Sequence, residues 1–164
     1  MTSTADDIRP NETSVALSPP TDATLRFIGV IHTPWTDRDA CPRQGSIDGP
    51  DCRIVIDPIW HHALEGLDEY QGLEVLYWLD QSRRDLTRQS PRSDGRTFGT
   101  FALRSPVRPN PIGTSIVKLL RIEDGTLHVR GLDCVNGTPL IDIKPDRQGF
   151  LPKAPPTSGD APGS

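Results

Sequence analysis

The sequence predicts an all-β fold, a small antiparallel β-barrel with one or two short helices. Seven short runs rich in β-branched and large apolar residues recur between residues 27 and 143. Turn residues bound most of them, and helical periodicity is confined to one stretch after Pro58. Many short strands with little helix satisfy their edges best by closing on themselves.

In chain order, residues 27–32 are apolar and β-branched and stop at Thr33-Pro34, giving a first strand. Residues 53–57 give a second. Asp57-Pro58 then reads as a helix start, with Asp as N-cap and Pro in the first helical position. Trp60, Ala63, Leu64 and Leu67 follow at i, i+3, i+4 and i+7, one apolar face, and Gly66 can end the helix. His61 and His62 are sequence neighbours and point to different sides, a poor metal pair. Residues 73–79 are apolar on both faces and predict a central strand. The arginine-rich stretch from Asp80 to Arg96 has no clear period and contains Pro91 and Gly95, so a long loop is expected. Residues 98–103 and 115–122 are further strands. Glu123-Asp124-Gly125 turns the chain into a strand over residues 126–132, and residues 140–143 form the last.

Composition sets the domain organisation. Only 34% of the 164 residues are hydrophobic, and the net charge is −4. Residues 1–24 carry four acidic side chains against Arg9 alone and, with residues 151–164, hold seven of the 17 prolines. Such segments bury too little apolar surface to offset the entropy of ordering. The expected organisation is a loosely packed tail over 1–24, a barrel domain over 25–150 and a flexible tail over 151–164.

Several classes are excluded. No run of about 18 apolar residues marks a membrane span. The start lacks the basic and apolar regions of a secretory signal. Cys41, Cys52 and Cys134 are odd in number and lack paired spacing, so neither a disulfide framework nor a zinc site is expected, and a cytoplasmic setting follows. Dinucleotide-binding and phosphate-loop glycine motifs are missing. The overall charge opposes nucleic-acid binding, except between Arg83 and Arg108, where seven arginines face two aspartates. Arginine suits phosphates and carboxylates. Arg88, Arg92 and Arg108 are the candidate substrate contacts in this stretch; solvated loop arginines paired with aspartates are the plainer alternative.

The densest constellation is Arg-Ser-Pro-Val-Arg-Pro-Asn-Pro-Ile-Gly, residues 104–113. Three prolines in six residues stiffen the chain without secondary structure. A stiff loop loses little entropy on binding, which suits a ligand site presenting Arg104, Arg108 and Asn110. A strand crossover is the alternative. A second constellation runs from Asp133 through Cys134, Val135 and the turn pair Asn136-Gly137 to Asp142 and Lys144. Asp142 and Lys144 are two apart and share a strand face, as a functional pair or a surface ion pair. Pro42-Arg43-Gln44 adds a guanidinium and an amide.

Taken together, residues 28–34, Pro42-Arg43-Gln44, residues 99–113 and residues 133–145 resemble the TsaA-like (YaeB/TrmO) family, over roughly residues 25–145. The resemblance implies a β-barrel that works as a homodimer with cofactor sites near the subunit interface. It implies S-adenosylmethionine-dependent methyl transfer to the exocyclic amino nitrogen of threonylcarbamoyl-adenosine, beside the anticodon of tRNA. The cofactor site it implies comprises Pro42, Arg43, Gln44, Asp80, Gln81, Arg104, Ile116, Asp133, Cys134, Val135 and Asn136. Arg104 or Arg43 would hold the cofactor carboxylate. The accepting amine must lose a proton, and Asp142 or the Asn110 carbonyl is the candidate acceptor. Lys144 joins the candidate substrate contacts, and no metal is expected. The sequence departs from the family at Asp146, where an aromatic is usual, and at Asn136, where Asp is usual. It also ends soon after Phe150, whereas longer members add a domain thought to engage tRNA. Two other readings stay open: a non-catalytic S-adenosylmethionine-binding module, and a methyltransferase of a small nucleoside or metabolite.

Overall fold

In the computed structural model, residues 8–19, 22–92 and 94–147 are described. Residues 1–7 of the first expected tail and the whole of the 151–164 tail lie outside them. Among the described residues nine strands follow in chain order: β1 (Thr13–Ser14), β2 (Gly29–His32), β3 (Cys52–Ile56), β4 (Gly72–Trp78), β5 (Leu86–Gln89), β6 (Phe98–Gly99), β7 (Ile112–Glu123), β8 (Thr126–Arg130) and β9 (Thr138–Pro145). Six close into an antiparallel barrel in the order β2-β3-β8-β7-β4-β9. β1, β5 and β6 form a small separate sheet. Among the described residues no helix is long and apolar enough to cross a membrane.

Alternation along the strands fills the barrel. Ile31, Ile54, Leu73, Val75, Val117, Leu127, Val129 and Leu140 point inward and are essentially inaccessible to solvent. β4 alternates buried and half-buried positions, so it is not buried on both faces as its apolar run suggests. Leu76 and Trp78 are half-buried on the outer side, where Trp78 meets Phe27 and the Arg84 guanidinium. β7 turns into β8 through Asp124-Gly125, both at positive φ (46° and 75°), the backbone that a two-residue hairpin requires.

The expected helix after Asp57 is two 3₁₀ segments, Pro58–Leu64 and Leu67–Glu69, separated by Gly66 at φ 80°. The three-residue turn keeps Trp60, Leu64 and Leu67 against the core but leaves Ala63 exposed. His61 turns in toward the Ile56 carbonyl (3.0 Å), and His62 turns out toward Glu65.

The expected long loop from Asp80 to Arg96 holds β5, whose burial does not alternate and whose single apolar residue is Leu86. The expected strand over 98–103 keeps pairing for only two residues and then coils into a 3₁₀ turn, Thr100–Ala102. Among the described residues its sole strand partner is β5, so it lies outside the barrel. β1, within the segment expected to be loose, pairs with β5. There the Glu12 carboxylate accepts from the Ser90 amide (3.0 Å), and Arg9 donates to the Ser90 carbonyl (3.0 Å).

β2 depends on a residue without a side chain. A Cβ at Gly29 would lie 2.2 Å from the Val55 carbonyl oxygen and 3.1 Å from the Ile56 Cα, both rigid backbone of β3. At Gly99 it would meet nothing within 4 Å. Gly29→Ala is therefore expected to lower stability by about 1–3 kcal/mol, and Gly99→Ala to stay within about 0.5 kcal/mol of the parent. Urea denaturation midpoints check the contrast.

Candidate functional site

An antiparallel barrel places every second connection at the same end. Here three barrel connections share one end: residues 33–51, the long connection from β4 to β7 that leaves through 79–85 and returns through 100–111, and residues 131–137. Those segments carry Pro42-Arg43-Gln44, Asp80-Gln81, Arg104 with Asn110, and the Asp133–Asn136 turn. Chain direction alone thus gathers most of the expected site on one rim.

Specific contacts tie the segments together. Gly45 packs on the backbone of Gly131: a Cβ there would overlap the Gly131 carbonyl, at 1.8 Å. Arg38 donates to the Gln81 carbonyl across the rim (3.3 Å). The turn at 133–137 is laced to the end of β2. Thr33 Oγ1 donates to the Cys134 carbonyl (2.8 Å), the Thr33 amide to Asn136 Oδ1 (3.2 Å), and the Asn136 and Gly137 amides to the carbonyls of Trp35 (2.7 Å) and Ile31 (2.8 Å). Cys134 is buried and its thiol is pushed up to about 12, by burial above all, so it serves packing rather than ionic chemistry. Val135 presents its carbonyl to the Thr138 hydroxyl (2.6 Å).

The proline-rich loop is held rigid by two arginines. Arg108 donates through Nε to the Ser105 carbonyl (2.8 Å), through Nη2 to that of Arg104 (3.3 Å), and through Nη1 to that of Ile112. Its pKa is lowered by burial and by neighbouring Arg104. Arg108, expected to touch substrate, is thus committed to building the loop. Arg84 donates to the Pro109 carbonyl (2.7 Å) while its guanidinium lies 5.5 Å over the Trp78 ring. Buried Gln89 links Thr100 Oγ1 (3.0 Å) and the Val107 carbonyl (3.1 Å), anchoring the loop to β5. The Asn110 carbonyl accepts from the Ile112 amide (2.7 Å), which leaves its side chain as the group exposed to a ligand.

A pocket of about 430 Å³ opens beside this loop, lined by Thr100, Phe101, Leu103, Arg104, Arg108, Pro109 and Asn110. Arg104 is exposed there, and its guanidinium has no hydrogen-bond or ion-pair partner among the described residues. The same holds for Arg43. Deeper in the rim, the Tyr77 hydroxyl lies 2.9 Å from Ser115 Oγ and donates to Asp133 Oδ1 (2.8 Å).

Several expected residues fall outside this assembly. Asp142 and Lys144 sit down the barrel wall, opposite Leu76 and Glu74 of β4. They pair with each other, Nζ lying 2.6 Å and 2.8 Å from the two carboxylate oxygens. Ile116 also lies opposite Glu74, 50% exposed on the outer face. Arg88 donates to Thr97 Oγ1 (2.8 Å) in the side sheet, and Arg92 is exposed beside it. Reading the sequence missed Tyr77, Ser115, Thr33, Arg84 and Gln89. The first looks like core and the last two like solvated loop until the chain is folded. Among the described residues no three His, Cys, Asp or Glu side chains are grouped to hold a metal.

A closed six-stranded antiparallel barrel with a candidate site on a rim assembled from three connections is the class this chain defines. The sequence profile of the tRNA-methyltransferase O N-terminal domain matches residues 30–150, and the chain belongs to that family. It is 54% identical over 148 residues to the probable S-adenosyl-L-methionine-binding protein VirR of Rhizobium radiobacter, covering 90% of this chain and 85% of that one. It is 32% identical over 126 residues to the human tRNA (adenine(37)-N6)-methyltransferase, covering 72% of this chain and 29% of that protein. The crystal structure of TrmO from Pseudomonas aeruginosa superimposes with a TM-score of 0.65 at 31% identity, over 88% of this chain and 64% of that one.

The contacts separate two arginines that the sequence cannot. Arg108→Ala is expected to lower stability by about 1.5–3 kcal/mol, the scale of hydrogen bonds to a charged group. Arg104→Ala should stay within about 0.5 kcal/mol. Chemical denaturation of both variants reads the difference directly.

Proposed function

We propose that this chain is a methyltransferase that uses S-adenosylmethionine and acts on the exocyclic amino nitrogen of adenosine beside the tRNA anticodon, the threonylcarbamoyl-modified form being the substrate. One observation carries the reading. The rim brings two unpartnered guanidiniums, Arg43 and Arg104, onto the same barrel end as the Asp133 carboxylate. The name of the human relative supplies the reaction class, and that of the Rhizobium relative the cofactor.

The donor set fits this cofactor. Arg104 or Arg43 pairs with an anionic carboxylate. Asp133 accepts from hydroxyl or amino groups, and the exposed Gln44, Gln81 and Asn136 amides and the Asp80 carboxylate offer further polar contacts. Pro42, Cys134 and Val135 shape the wall. When bound, the sulfonium supplies an activated methyl group, so the protein's task is alignment and proton removal. The Asn110 side-chain oxygen, exposed at the edge of the pocket, is the candidate hydrogen-bond acceptor that orients the amine, whose proton passes on to solvent. Asp142 is the weaker candidate, because Lys144 neutralises it on the wall. Arg88 and Arg92 guide the RNA backbone from the side sheet, and Lys144 touches RNA only if the strand runs down the wall. The target lies in a single-stranded loop, so little unpairing is needed.

The functional unit of the proposal is a homodimer. Phe101 is 92% exposed at the pocket edge, and Ile116 lies outside the rim that holds the other site residues. A second copy that covers the one and contributes the other completes the site. Light scattering should give about twice the 18.0 kDa of one chain, and a monomer would contradict the shared site. The cytoplasm, where tRNA is modified, is the proposed location.

The deciding assay incubates the protein with methyl-labelled S-adenosylmethionine and total tRNA from a strain lacking this methylation, then identifies the labelled nucleoside. Label on N6 of the threonylcarbamoyl-adenosine is expected. Charge reversal at Arg88 and Arg92 should weaken tRNA binding and leave cofactor affinity unchanged. It should also reduce the salt slope by about 0.7 for each phosphate that is no longer neutralised. Cofactor binding without methyl transfer to any RNA or nucleoside would favour a binding module, the role named for the Rhizobium relative.

A further inference from the structure

The geometry points to Tyr77, assisted by Ser115, as the positioning residue that aims the Asp133 carboxylate at the ligand. The inference rests on the rim being the cofactor site.

The Tyr77 ring has one place to go. Tyr77 lies opposite Gly113 across the β4–β7 pair, and a Cβ at Gly113 would lie 2.4 Å from ring atom Cε2. The glycine leaves the space that the ring fills. The residue is 3% exposed, so its hydroxyl must find partners inside the protein. Ser115, two residues on from Gly113, could meet that need alone at 2.9 Å. Instead the hydroxyl reaches on to Asp133 Oδ1 at 2.8 Å, in a different connection of the rim.

Ser115 Oγ lies 3.3 Å from the same Oδ1. Both donors therefore converge on one carboxylate oxygen. Oδ2 has no hydrogen-bond partner among the described residues, and its lone pairs remain for a ligand hydroxyl or amino donor. The backbone around Asp133 is fixed as well. Gly131 sits at φ 118° against the Ile116 carbonyl, and Leu132 and Cys134 are buried on either side. The remaining freedom is the side-chain torsion of Asp133, and the Tyr77 hydrogen bond removes it before the ligand arrives. Burial and the Asp133 charge hold the phenol far above its ordinary range of ionisation, so Tyr77 remains a donor at any working pH.

The test is a double-mutant cycle on S-adenosylhomocysteine affinity by calorimetry, using the wild type, Tyr77→Phe, Asp133→Asn and the double variant. Phe keeps the ring over Gly113 and removes only the hydroxyl. Tyr77→Phe should weaken binding about five- to tenfold, and in the Asp133→Asn background the same change should alter it less than twofold. Ser115→Ala, run through the same cycle, reads the coupling if Tyr77→Phe fails to fold. In methyl transfer the Tyr77→Phe defect should fall more on the KM for S-adenosylmethionine than on kcat, because the hydroxyl acts on ligand placement. Wild-type affinity in Tyr77→Phe, or effects that multiply independently in the double variant, would overturn the positioning role. A wild-type protein that binds no S-adenosylhomocysteine would overturn the rim reading itself and this inference with it.

Discussion

The direction of the chain around a closed barrel is the constraint from which the site follows. Six antiparallel strands leave the connections from β2 to β3, from β4 to β7 and from β8 to β9 at one end. The opposite end receives the stretch from Asp57 to Gln71 and the Asp124-Gly125 hairpin. No contact between distant loops has to be arranged individually, because closure delivers them to the same rim. The inward-facing Ile, Leu and Val side chains that stabilise closure are thereby also what assembles the site.

Closure alone leaves the loops imprecise, and the second level of order is local. The proline-rich segment is restrained by its own backbone and then pinned by Arg108 and Arg84 at its carbonyls. The turn over 133–137 is pinned by Thr33 and by the backbone at the end of β2. Arginines of one short stretch therefore divide by function. Arg83, Arg84 and Arg108 are committed to Asp85 and to loop carbonyls, whereas Arg92 and Arg104 face solvent. Their charges are equal; their surroundings decide the role.

The strands were legible in the sequence because inward apolar residues at period two leave a local signature, as in residues 53–57 and 115–122. The Asp124-Gly125 hairpin was legible from its turn residues. β5 was not, since its pairing with β1 and β6 is non-local and only Leu86 marks it. The strand expected over 98–103 fails for the converse reason: its apolar residues have no barrel neighbour to pair with. The helical stretch after Asp57 shows in its apolar spacing, but its 3₁₀ form depends on packing against the core that no local pattern encodes. At the site, the motifs exposed Arg104, Asn110 and Asp133. Tyr77 and Ser115 stayed hidden, because an alternating strand shows that a residue points inward but not which carboxylate it meets there.

On the proposed function, ligand binding belongs to one end of this barrel. Backbone amide shifts of the isotopically labelled protein, followed while S-adenosylhomocysteine is added, test it directly. Perturbations are expected to concentrate in residues 33–51, 79–85, 100–111 and 131–137, with the stretch from Asp57 to Gln71 and the Asp124-Gly125 hairpin unmoved. Perturbations centred on those two far-end connections, or none at millimolar ligand, would contradict it.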